Sequence, residues 1–265
     1  MPPRRTDADE ASRLTGTQSI ERALTLLREI AAHNRGGSRL LDLATRTGLQ
    51  RPTVHRMLKC LATESMVQQD PDTHRYFLGP MVFELGLTAT PRFNLREICH
   101  PALTRTAEAT GDTVFLTQRS GLDSVCLDRR EGTFPIKTFT LEIGMRRPLG
   151  VGTGSLAILS ALPEDEIQKV VAANSARLPE YGLNPGALLA QVKRSQKLGY
   201  AMREVPGLAG VRSVGQALRN QSGIAFAALS VSAISSRMSE KRAIEVALLL
   251  KGESRQVERQ LSSGN

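Results

Sequence analysis

Residues 40–60 carry Arg46, Arg51, Arg56 and Lys59 against one acid, Asp42, and set Thr53 and His55 among them. Cationic side chains pair with phosphate oxygens, and arginine and threonine also bond to base edges in a major groove. The chemistry open to this set is backbone contact and base reading on DNA. A second group lies in Arg146-Arg147-Pro148-Leu149-Gly150-Val151-Gly152-Thr153-Gly154-Ser155. Its glycines permit close approach to a ligand, Ser155 can cap a following helix, and an arginine here can hold a carboxylate through two parallel hydrogen bonds. A solvated surface role is the competing account for each arginine taken singly.

Catalysis finds less support. All four histidines, His33, His55, His74 and His100, precede residue 111, so the larger C-terminal part has no histidine base and no Cys/His metal cluster. Gly152-Thr153-Gly154-Ser155 lacks the glycine and lysine positions of a nucleophile elbow or a phosphate-binding loop. Cys60, Cys99 and Cys126 are scattered and odd in number, which argues against a disulfide framework or zinc site and fits a reducing compartment. The chain is expected not to be an enzyme and to need no metal or cofactor. Residues 1–13 are polar and lack the apolar segment of a secretion signal. The longest weakly polar run, residues 224–234, falls far short of the roughly 20 residues that span a bilayer. A cytoplasmic protein with no membrane partner is expected.

The elements that would position the basic set can be read from periodicity. Ile20, Ala23, Leu24, Leu27 and Ile30 recur at helical spacing over residues 19–33, and Gly36-Gly37 ends that helix. Leu40, Leu41, Leu43 and Ala44 form a second apolar set, followed by Thr47-Gly48-Leu49 and a third helix predicted to begin at Pro52. Ala44 is small enough for two helices to cross closely, and Gly48 can take the left-handed turn. With Val54, Leu58 and Leu61 turned inward, Arg51, Thr53, His55, Arg56 and Lys59 hold the opposite face and leading end. Residues 66–69 and 75–78 read as strands around a turn at 70–74, a wing on which His74 and Arg75 are backbone contacts. Two packed core helices give a similar pattern, but the order helix, helix-turn-helix, hairpin within 80 residues favours DNA binding.

Three segments then resemble the IclR family of transcriptional regulators: Thr17-Gln18-Ser19-Ile20-Glu21-Arg22-Ala23-Leu24, Gly48-Leu49-Gln50-Arg51-Pro52-Thr53-Val54-His55-Arg56-Met57-Leu58, and Tyr76-Phe77-Leu78-Gly79. The likeness continues through residues 103–113 and 199–232. It implies a homodimeric or homotetrameric repressor or activator on a palindromic operator in double-stranded DNA. It also implies a C-terminal domain, related to GAF folds, that binds a small-molecule effector, an organic or aromatic acid. By matching positions Arg51, Thr53, His55 and Arg56 are recognition-helix contacts, to which the charge pattern adds Lys59, Arg46 and Arg75. Arg4 and Arg5 could reach along a minor groove, although a disordered tail is the simpler account.

The resulting layout is an α+β protein with a flexible arm at 1–16, a winged helix-turn-helix domain at 17–80, a helical linker at 81–111 and a GAF-like α/β effector domain at 112–265. Pro91 and Pro101 interrupt the linker, which either pairs subunits or packs on its own C-terminal domain. Residues 113–118, 124–127 and 136–141 read as strands, 155–162, 164–173, 187–197 and 239–257 as helices, and 224–231 as a buried strand. The effector pocket is expected at Arg146, Leu149, Val151 and Gly152, faced, by the resemblance, by Val211, Arg212, Ser213, Phe115 and Leu229. The chain departs from the family's pattern in a glycine-rich loop before the first sensor helix, in Ala201-Met202-Arg203-Glu204-Val205-Pro206-Gly207 where relatives place acids, and in Ser213 where a cysteine is common. Net charge is +9 and the pI about 10.0, but the excess is three charges in residues 1–80 and six in 111–265. A nonspecific architectural DNA binder would explain that charge. It would not explain why more than half of the chain forms a separate mixed domain.

Overall fold

In the computed structural model, residues 7–89, 94–205 and 209–263 are described, with side chains from Thr17 onward. They divide into two compact units, parting between residues 92 and 93. Arg4, Arg5, Pro91, Pro206 and Gly207, singled out above, lie outside the described residues.

The first unit is α1 (Asp7–Ala32), α2 (Leu40–Thr47), α3 (Arg51–Thr63), a hairpin of β1 (Val67–Gln69) and β2 (Tyr76–Leu78), and α4 (Pro80–Ala89). α1 starts inside the segment expected as an arm, and α3 starts at Arg51, one residue before Pro52. Leu26 and Ile30 of α1, Leu43 of α2, and Val54 and Leu58 of α3 are fully buried and cluster with the buried Val67 and Tyr76. At about 1.5–3 kcal/mol for each fully buried large apolar side chain, this cluster fixes how the three helices cross. Gly48 at φ 67° turns the chain from α2 into α3, as only glycine does without strain. The hairpin pairs Val67 with Leu78 and Gln69 with Tyr76, and Ser38 bridges to Tyr76 from the turn after α1. In the wing turn, Asp70 Oδ1 accepts from both the backbone and the hydroxyl of Thr73, at 2.7 Å each, which holds its carboxyl below the usual range.

The second unit opens with α5 (Leu95–Thr110) and builds a six-stranded antiparallel sheet in the order β5-β4-β3-β8-β7-β6. Its strands are β3 (Thr113–Ser120), β4 (Asp123–Arg130), β5 (Arg146–Pro148), β6 (Ala201–Glu204), β7 (Val211–Arg219) and β8 (Ala225–Ile234). α6 (Thr153–Ser160), α7 (Glu164–Asn174) and α8 (Pro185–Leu198) lie between β5 and β6, and α9 (Glu240–Ser263) follows β8. Alternation splits the sheet into two faces. Val114, Leu116, Val214, Leu218, Leu229 and Val231 pack with α5 and α9, whereas Ala201, Ala225 and Ala228 pack with α6, α7 and α8. Two expectations are corrected. Pro101 sits inside α5, not at a break, because Leu95, Cys99, Ala102 and Leu103 are buried on one side of the helix and carry it across the missing amide hydrogen. Residues 136–141 form no strand. Thr138 donates to Ser232 O (2.8 Å) and Lys137 to Gly132 O, so side-chain bonds anchor this segment, and β5 takes the edge beside β4.

Candidate functional site

In the first unit, α3 presents Arg51, His55, Arg56 and Lys59 to solvent, with Thr53 half-buried and Arg46 exposed on α2. Among the described residues none of Arg46, Arg51, Arg56 and Lys59 pairs with a carboxylate, so their charges are available to an outside partner. An open groove of about 790 Å³ runs between the start of α3 and the wing, lined by Arg39, Leu41, Arg51, His55, Gln69 and His74 among others. Arg75 also lines the groove, and its Nη1 donates to Gly36 O (3.2 Å) and Gly37 O (2.9 Å), so it ties the wing to the turn after α1 as well. Arg39 was missed, although its place just before the apolar set of α2 is visible in the sequence.

In the second unit the register gathers a polar row. Thr113 pairs with Ser232, Ser232 with Ser213, and Ser213 with Arg203; in the next row Phe115 pairs with Ser230 and Ser230 with Gly215. These residues share the face covered by the start of α6. Two glycines allow the close approach: a Cβ on Gly154 would lie 2.9 Å from Thr117 Oγ1, and one on Gly215 would lie 3.0 Å from Thr153 O. Phe115 and Ser213 thus share this face, Gly152 immediately precedes the helix that covers it, and Val211 continues the face at the start of β7.

The remaining expected residues are placed elsewhere. Leu229 points to α5 and α9, on the other face from Phe115. Arg212, also in register with Val214, bonds to Met238 O and pairs with Glu204 and Glu240. Leu149 and Val151 are fully buried in the core beneath α6 and α8. Arg146 is engaged by Asp123 (3.1 Å) and Ser120 Oγ (2.8 Å). Arg147 donates to Thr140 O and lies over the Tyr181 ring, and burial lowers its pKa. The missed cation is Arg203, whose Nη1 donates to Gly150 O (3.1 Å) and Val151 O (2.8 Å) and whose pKa desolvation lowers to about 10. An arginine where the resemblance leads one to expect an acid was the available signal. Cys99 and Cys126 are buried, which pushes both thiols up to about 12. No helix among the described residues is long and apolar enough to cross a membrane.

Known proteins share this whole layout. The chain is 27% identical over 237 residues to the acetate operon repressor of Salmonella typhimurium, covering 88% of this chain and 86% of that protein. It is 24% identical to the HTH-type transcriptional repressor AllR of Escherichia coli, covering 91% and 89%. Solved structures with the same fold include an IclR transcriptional regulator from a Silicibacter species, at TM-score 0.78 and 24% identity over 92% of this chain and 96% of that one. Another is an IclR homologue from Microbacterium hydrocarbonoxydans complexed with 4-hydroxybenzoate, at TM-score 0.70 and 18% identity over 93% and 100%. A model of the IclR helix-turn-helix domain matches residues 19–71, and one of the bacterial transcriptional regulator IclR C-terminal matches residues 87–259. The helices α2 and α3 and the strand β1 fall in the first match and the whole six-stranded sheet in the second, and the chain belongs to the IclR family of transcriptional regulators.

Proposed function

We propose that this family member is a cytoplasmic repressor or activator that grips a palindromic operator through α3 and is modulated by a small organic or aromatic acid. The observation that carries the DNA reading is the unpaired cationic face of α3, Arg51, Arg56 and Lys59 with His55, beside the groove under the wing. Two such helices, one per subunit, would enter successive major grooves, which requires at least a homodimer. Self-association is supported by the apolar side chains left exposed on α1 and α4: Ile20, Leu24, Phe83, Leu85 and Leu87. A homotetramer is a pair of such dimers. The effector reading is supported by the hydroxyl-bearing sheet face under α6 and by the 4-hydroxybenzoate complex of the Microbacterium homologue. A ligand there would shift the relative placement of the two recognition helices by binding one placement better than the other.

The test is fluorescence anisotropy with DNA from upstream of the chain's own gene against a scrambled duplex, across a salt series and with organic acids added. Sequence-selective binding altered by one acid is expected. Equal binding to both duplexes, falling steeply with salt and indifferent to every acid, overturns the proposal in favour of a nonspecific architectural DNA binder.

A further inference from the structure

Every arginine that the sequence offered as a carboxylate partner is already engaged: Arg146 by Asp123, Arg147 by Thr140 O and the Tyr181 ring, Arg212 by Glu204, Glu240 and Met238 O. Arg129 shares the face of Phe115 through the register of β3 and β4, but it stacks on Phe139 at 4.5 Å and pairs with Glu131. Arg203 stands apart. It is half-buried on β6, directly across from Ser213, and no carboxylate among the described residues reaches it. Its Nη1 holds two loop carbonyls and its Nε a third, Glu204 O, at 3.4 Å; its Nη2 has no partner among the described residues.

The sheet face that Arg203 shares with Ser213 is also short of partners, although the hydroxyls of Ser213 and Ser232 bond to each other at 2.5 Å. Thr113, Thr153 and Ser230 are buried, and their hydroxyls make no hydrogen bond to described residues. Thr117 Oγ1, buried against Gly154, is likewise unpaired. Above them, the first amides of α6 open a helix whose dipole favours negative charge. A half-buried cation held only by neutral carbonyls is costly, and a buried hydroxyl left unpaired, such as that of Thr117, adds to the cost. An anionic ligand carrying further oxygens would relieve both at once.

We propose that Arg203 is the group that recognises the anionic end of the effector, taking a carboxylate on its open Nη2 edge while the hydroxyls of Thr113, Ser213, Ser230 and Ser232 and the ring of Phe115 face the rest of the molecule. This rests on the effector reading above and adds the residue that sets specificity. The planar fork suits a carboxylate, and a charge-assisted bond of this kind contributes more than a neutral one. The site should therefore prefer an acid over the amide of the same shape. The tie to Gly150 and Val151 gives the same residue a hold on the loop that starts α6, so ligand charge and loop position are linked through one side chain.

The test uses the full chain and three acid–amide pairs: 4-hydroxybenzoate with 4-hydroxybenzamide, benzoate with benzamide, and pyruvate with pyruvamide, followed by thermal shift and isothermal titration. At least one acid should bind at least about tenfold tighter than its amide, and Arg203→Gln should erase that preference. If Arg203→Gln unfolds for want of its loop contacts, Arg203→Lys, which keeps the charge and loses the fork, should bind the acid more weakly yet still prefer it to the amide. An acid bound equally well by the parent and Arg203→Gln, or no better than its amide, overturns the role of Arg203 and leaves the effector reading standing. No binding of any acid or amide overturns both.

Discussion

The two units use arginine in opposite ways. In the first, Arg46, Arg51 and Arg56 stand exposed with no acid partner among the described residues. In the second, Arg105, Arg119, Arg146, Arg177, Arg237 and Arg242 each meet a carboxylate at 3.1 Å or less. The second unit nevertheless carries the larger share of the net positive charge. Charge counted along the chain is therefore a poor guide to where a polyanion binds. What distinguishes a binding face is that its cations are left unpaired, and a surface that holds its arginines in its own ion pairs offers little to phosphate.

The sharpest way to break this contrast is at Asp112. Its carboxylate is 2% exposed and takes Arg237 at 3.0 Å and Arg242 at 2.8 Å, while both guanidiniums also donate to Thr110 O at the end of α5. Arg237 further lies over the Phe134 ring at 3.8 Å. Asp112→Ala leaves two partly buried cations without their counter-charge, so stability should fall by about 3 kcal/mol, the low end for a broken buried pair because both arginines keep some solvent. Chemical denaturation measures this. A loss below 1 kcal/mol would show that the paired arginines of this unit are solvated ornaments and not scaffold.

On the other side of the contrast, Arg56→Ala should leave stability within about 0.5 kcal/mol, since the side chain is exposed and unpaired. Operator affinity should fall by about 1–3 kcal/mol if Arg56 reads a base. Anisotropy decides it, and unchanged affinity would mean that the face of α3 has been assigned wrongly. A smaller and more selective effect separates the units directly. Arg51→Gln should reduce the slope of log affinity against log salt by about 1, the signature of one lost phosphate contact. Arg146→Gln, which breaks the pair with Asp123, should leave that slope unchanged. Equal changes in the two variants would erase the distinction between free and engaged arginines.

The first unit was the more legible because its signals are local. The apolar spacing of Leu43, Ala44, Val54 and Leu58, the glycine at 48 and the proline at 52 lie within one short stretch, and they fix the helices and the exposed face together. The hydrogen bonds of Arg75 to Gly36 and Gly37 were not legible, because its neighbours in sequence say nothing about that turn. The second unit depends on register. Alternation in residues 136–141 imitates a strand, yet Thr138 bonds to Ser232 from nearly a hundred residues away. Leu229 looked like a pocket residue until pairing with Leu116 put it on the far face. Arg203 became legible only when β6 aligned it with Ser213 and the loop at Gly150 came over it.

The cysteines repeat the contrast in a form that needs no mutation. Cys60 is exposed on α3, next to Lys59, whereas Cys99 and Cys126 are buried in the second unit with thiols pushed up to about 12 by desolvation. Thiolate is the reactive form, and at neutral pH the two buried thiols hold almost none of it. Native protein titrated with an aromatic disulfide reagent near pH 8 should thus release one equivalent quickly, and all three only on unfolding. Operator DNA should slow the fast equivalent, because a duplex against Lys59 also crowds Cys60. Rapid reaction of two or three thiols in the native state would mean that the sheet of the second unit opens readily, and then its ion pairs could not be the rigid scaffold on which the comparison depends. A single fast thiol indifferent to DNA would keep that scaffold and place the duplex away from the C-terminal half of α3.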